Sequence, residues 1–137
     1  MAVFVKYYCS VEDIPEKVHN LGSDTLKIAL TNTAPTLTHT TLSQIGEISA
    51  GFGYTGGGGA VTVSSSSQTT GTYKLIVSDV TFTASGGSIG PFRYAVLHNE
   101  TANKLLGYWD VGTETTITTG NTYTCDFDAT NGVIQVV

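Results

Sequence analysis

The chain has 137 residues, enough for one domain of ordinary size and no second core. Only 12% of residues are charged while 40% are hydrophobic, which excludes the low-hydrophobicity, high-charge signature of disorder, and Thr (23), Ser (11) and Gly (16) supply 50 positions. A formal charge of −5, with six basic residues scattered along the chain, argues against a nucleic-acid partner. No stretch approaches the ~18 apolar residues of a spanning helix, so no membrane partner is expected either.

The amino-terminal arm, residues 1–9, holds Val3, Phe4, Val5, Tyr7 and Tyr8. It lacks the layout of a signal peptide and reads as a cytosolic product. So many large apolar side chains must either pack on their own domain or dock on another chain, and Phe4, Tyr7 and Tyr8 are candidate interface residues. Extended backbone puts Phe4 and Tyr7 on opposite sides. A short helix follows within 10–22, at about 11–21. Ser10 is its cap, Glu12 and Asp13 favour the positive end, and Val11, Ile14, Val18 and Leu21 recur at helical spacing.

From residue 23 onward the pattern has period two. Leu26, Ile28 and Leu30 mark the first strand, broken at Pro35, and Leu42 to Ser49 holds a short edge element. Gly51 to Gly59 is a loop whose Phe52 and Tyr54 are further interface candidates. A strand at Ala60 to Ser64 and a turn at Ser65 to Gly71 come next. Tyr73, Leu75, Val77, Val80, Phe82 and Ala84 then read as one strand with a bulge at Asp79. Phe92 to Leu97 is apolar on both faces apart from Arg93, as a central strand should be. After a turn at Asn99 to Asn103 come strands at Leu105 to Val111, at Thr115 to Thr118 and at Tyr123 to Phe127. Asn131-Gly132 is a hairpin signal that pairs Val133 to Val137 back on Tyr123 to Phe127. About eight strands without a crossover helix give an all-β fold, one antiparallel β-sandwich or jelly roll. The expected core is Leu26, Ile28, Leu30, Leu75, Val77, Val80, Phe82, Phe92, Tyr94, Val96, Leu105, Tyr123, Cys125, Phe127, Ile134 and Val136.

Residues able to do chemistry are thin. His19, His39 and His98 have no second ligand at metal spacing, since a turn at Asn99 separates His98 from Glu100, and they read as surface or turn residues. Asp126 and Asp128 resemble the start of a calcium loop, but the third ligand falls one residue late and the terminal Glu is missing. Gly56 to Gly59 is followed by neither Lys-Ser/Thr nor a helix, so it is no phosphate loop. Cys9 and Cys125 can meet only through the fold and lack the neighbours that activate a thiolate. Ser64 to Ser67 has no nucleophile-elbow setting. No catalytic, metal or cofactor site is expected. Tyr108 and Trp109 point to opposite faces, so one should be core and the other exposed, where it could stack on a sugar.

Lys17 to Asn32, Gly53-Tyr54-Thr55, Ser88 to Leu97 and Leu106 to Asp110, taken in order, resemble a family of small tailed-bacteriophage virion proteins similar to head decoration, or cement, proteins. The resemblance covers nearly the whole chain. It implies a structural role without catalysis on the capsid surface, with the major capsid protein as partner and a homo-oligomer, a trimer before a dimer. A tail or fibre component and a carbohydrate-binding module are the competing classes. A fibre usually needs a shaft or repeat, and none is present in the sequence.

Overall fold

The computed structural model describes residues 3–137, so Met1 and Ala2 of the expected arm lie outside the described residues. The fold is all-β and antiparallel, a sandwich-like domain with one short helix near the amino terminus. Its elements in chain order are β1 (Val5–Lys6), α1 (Tyr8–Asp13), β2 (Leu26–Thr31), a single 3-10 turn (Leu42–Gln44), β3 (Gly59–Ala60), β4 (Val63–Thr69), β5 (Thr72–Val77), β6 (Val80–Thr83), β7 (Ile89–Asn99), β8 (Lys104–Ile117), β9 (Thr122–Cys125) and β10 (Ile134–Val136). They form a five-stranded sheet in the order β1-β8-β7-β2-β3, a three-stranded sheet β10-β5-β4 and a two-stranded sheet β6-β9.

The two small sheets pack on one face of the large one. Leu26, Ile28 and Leu30 of β2, Phe92, Ala95 and Leu97 of β7, and Trp109 of β8 meet Leu75, Val77, Val80, Phe82, Cys125 and Ile134 in one buried cluster. The opposite face of the large sheet carries a second, smaller cluster, where Ala29, Val96 and Leu105 are covered by Tyr7 and Ile45. β7 is therefore the central strand and is apolar on both sides. Between Leu97 and His98 of β7 the register slips, placing Leu106 of β8 as the extra residue; Leu105 then serves the second cluster and Leu106 the first.

Several expectations are corrected. The helix starts earlier and stops sooner than residues 11–21, because Lys17 takes a left-handed conformation (φ 66°). Val18 N–H then reaches Asp13 O (3.0 Å) and Lys17 N–H reaches Ile14 O (3.3 Å), which closes the segment. Ser10 is not its cap; its hydroxyl donates back to Tyr7 O at 2.8 Å. The tetra-serine stretch is strand, not turn: β4 runs to Thr69 and a tight two-residue loop follows, with Thr70 and Gly71 both at positive φ (52° and 84°). Asp79 marks no bulge but the point where the chain leaves one small sheet for the other, its carboxylate accepting from Phe127 N–H at 2.9 Å.

Asn131-Gly132 closes no hairpin between β9 and β10. Asp128 accepts from the N–H groups of Thr130 and Asn131, both at 2.8 Å, and turns the chain away from β9, so that β10 pairs with β5 and β9 with β6. The segments at Leu105 and Thr115 are one strand, kinked around Gly112 (φ 102°). Of the expected core, Tyr94 and Tyr123 are only partly buried and Val136 is 48% exposed.

Candidate interaction surface

The amino-terminal segment is held on both sides of one strand. β1 pairs with Gly107 and Tyr108 of β8. Phe4 lies over Gly107, where a side chain would displace its ring, and packs on Trp109 with ring centroids 4.8 Å apart. Tyr7 goes to the opposite face, fully buried, edge-on to Tyr108 at 5.7 Å, and its N–H bonds Leu106 O at 3.2 Å. Burial raises the Tyr7 phenol well above the ordinary tyrosine value, so it stays protonated.

With Phe4, Tyr7 and Ser10 turned inward, three apolar neighbours along the segment face solvent: Val3 is 79% exposed, Tyr8 63% and Val11 58%. Val3 also lines a shallow groove of about 420 Å³ together with Val5, Ala34, Pro35, Tyr94, Tyr108 and Asp110. Of the candidate interface residues on the arm, only Tyr8 offers its ring to a partner. The loop candidates divide in the same way. Phe52 is 57% exposed and lies across Gly87, whereas Tyr54 is buried.

Tyr54 is buried because its hydroxyl accepts from Leu30 N–H (3.0 Å) and donates to Glu47 Oε2 (2.5 Å). Burial and the Glu47 carboxylate raise its pKa and keep it a donor. Glu47 also accepts from Gly57 N–H (2.7 Å), and Gly57 O accepts from His98 Nε2 (2.7 Å), which places the proton of His98 on Nε2. The glycine-rich loop is thus tied to β2 and β7 by named side chains, not left as a free flap. Trp109 is the core member of its pair, buried between Phe4 and Phe127, whereas Tyr108 is partly buried, packed on the second cluster with the rest of its ring on the groove.

His19 and His98 are buried, not surface residues, at 7% and 3% exposure. Asn99 donates to His19 Nδ1 (2.9 Å) and to Asp24 (2.7 Å), and these bonds join the segment after α1 to the end of β7. Nothing in the sequence pattern marks these partners, which lie 80 and 75 residues apart. Among the described residues no group of three or more His, Cys, Asp or Glu side chains could hold a metal ion, and no helix is long and apolar enough to cross a membrane. Both cysteines are free; burial pushes the Cys125 thiol up to about 12 and raises that of Cys9 as well.

The buried histidines set an acid limit. Desolvation lowers the pKa of His98 despite its bond to Gly57 and the pull of Glu47 and Glu100, with Lys27 adding to the lowering. For His19, desolvation and Lys104 outweigh Asp13 and Asp24. The unfolded chain returns both to about 6.5 and so binds more protons below that value, which makes stability rise with pH there. Acidification from about pH 7.5 to about pH 5 is expected to lower the melting temperature. Asp24, Asp110 and Asp128, held below the ordinary carboxylate value of 3.8 by their hydrogen bonds, withdraw their contribution only at lower pH. Thermal melts across this range check the expectation, and a flat profile from about pH 7.5 to about pH 5 contradicts it.

Comparison with protein-family models, with curated proteins and with solved structures found no match to this chain.

Proposed function

We propose that this chain is a structural component of a tailed-bacteriophage virion, a decoration or cement protein that binds the outside of the head and strengthens contacts between neighbouring major capsid subunits. The reading rests on the sequence resemblance and on one structural observation. Val3, Tyr8 and Val11 stand exposed on a segment that Phe4, Tyr7 and Ser10 anchor in the domain, so apolar side chains are presented to a partner from a fixed backbone. A rigid surface loses little conformational entropy when it docks, and aromatic side chains suit interface centres. A part that binds only the assembled lattice stabilises it by mass action. Neither a cofactor nor a metal enters this role.

The test is binding to undecorated heads of the phage that encodes the chain. Removing residues 1–8 is a poor probe, because it also strips Tyr7 from the second cluster. The double variant Tyr8→Ser/Val11→Ser alters exposed side chains only. It is expected to melt as the parent does and to bind heads at least ~10-fold more weakly, a loss of about 1.4 kcal/mol. Wild-type protein that leaves the head shell bare in cryo-electron microscopy, or a double variant that binds with parental affinity, overturns the proposal.

A further inference from the structure

β4 is the longest edge strand among the described residues, and no strand pairs with its outer side. Edge strands offer unpaired N–H and C=O groups, and proteins usually blunt them with charge, proline or brevity. β4 has none of these devices. Its seven residues are Val, Ser, Ser, Ser, Ser, Gln and Thr, and its one irregularity lies at the start, between Val63 and Ser65. From Ser65 to Thr69 the pairing with β5 is regular, one residue for one. The other sheet borders differ: β1, β3, β6, β9 and β10 have two to four residues each, and the stretch of β8 beyond Tyr108 carries Asp110 and Glu114 and kinks at Gly112.

The geometry points to a second copy of this chain as the occupant of that edge, the two β4 strands pairing antiparallel about a two-fold axis near Ser67. An antiparallel pair of identical strands is related by a two-fold, so the same surface serves both partners. Centred on Ser67, the register sets Ser65 against Thr69 and Ser66 against Gln68, which brings no ionisable side chain opposite another. For a chain of charge −5 that is the condition for close self-approach. The nearest charge on the outer face, Lys74, sits on β5 opposite Ser67. Across the joint sheet the two Lys74 side chains stand three strand spacings apart, about 14 Å, beyond the screening length of about 8–10 Å. Three strands on each side would merge into one six-stranded sheet.

The inference does not depend on where the protein binds in a virion. Sedimentation of the full chain from about 1 μM to about 1 mM is expected to show the mass rising from 14.4 kDa toward twice that value. Ser67 is exposed, so Ser67→Lys keeps the fold by circular dichroism while setting two cations on the axis, and it should weaken the dimer at least ~10-fold. In a Cys9→Ser background, Ser67→Cys should form a disulfide-linked dimer under mild oxidation. A single monomer mass over the whole range, a trimer, or a dimer unaffected by Ser67→Lys overturns the edge pairing. Head binding is read separately with the Tyr8 and Val11 variant, so a monomeric chain that still decorates heads leaves the proposed function standing.

Discussion

Replacing Phe92 by alanine is expected to cost about 3–5 kcal/mol of folding stability, read as a lower midpoint in urea unfolding. Phe92 lies on the central strand, is fully buried, and meets Tyr123 edge-on with ring centroids 5.2 Å apart and planes at 78°. Truncation therefore removes the transfer free energy of a phenyl ring and leaves a cavity between two sheets that relaxes only in part. Total stability for a domain of this kind is about 5–15 kcal/mol, so the variant should sit near the edge of folding. Phe92→Leu, which keeps most of the volume, should cost less than alanine does. A loss under about 1 kcal/mol for Phe92→Ala contradicts the packing at this point.

A second large effect is expected at Gly58. Its φ of 95° is one that side-chain-bearing residues rarely adopt, and a Cβ there would run into the Ile28 carbonyl of β2. Gly58→Ala must therefore lift the loop from the sheet. That movement undoes the pairing of Ile28 with Gly59 and pulls Gly57 from between Glu47 and His98, leaving buried polar groups without partners. Backbone strain and orphaned groups together predict a loss on the order of 3–5 kcal/mol. Gly56→Ala is the control: nothing lies within 4 Å of a Cβ at that position, and the change should stay within about 0.5 kcal/mol. Equal melting temperatures for the two variants would contradict the close approach of this loop to β2.

The strands that sequence reveals are those with an apolar side. β2, β5, β6 and β7 each bury alternate or continuous apolar residues, and the period follows. β4 escapes because its inward Ser66 bonds the Tyr73 hydroxyl (2.7 Å) instead of filling a core, so neither of its faces has an apolar rhythm. Partner choice is less legible than strand content. Asn131-Gly132 has the right turn chemistry, but Asp128 has already committed the backbone to another sheet. The interface candidates follow the same logic: Tyr7 and Tyr8 are neighbours of like composition, and only the position of β8 decides that one is core and the other surface. Burial of His19 and His98 is illegible for the same reason, since their partners come from distant parts of the chain, the end of β7 and the glycine-rich loop.

The clasp of Phe4 and Tyr7 around β8 also sets the order in which the fold can be completed. β1 pairs with residues about a hundred positions further along, so its contacts are among the most non-local in the chain, whereas the β4-β5 hairpin closes over two residues. Ribosomes extend chains at about 5–20 residues per second, so Phe4 and Tyr7 wait several seconds for the strand they will grip. During that interval the second apolar face of the sheet lacks the part of its cover that Tyr7 supplies. The amino-terminal segment therefore locks only after β8 is made, and its closure completes the cover over the second face of the sheet.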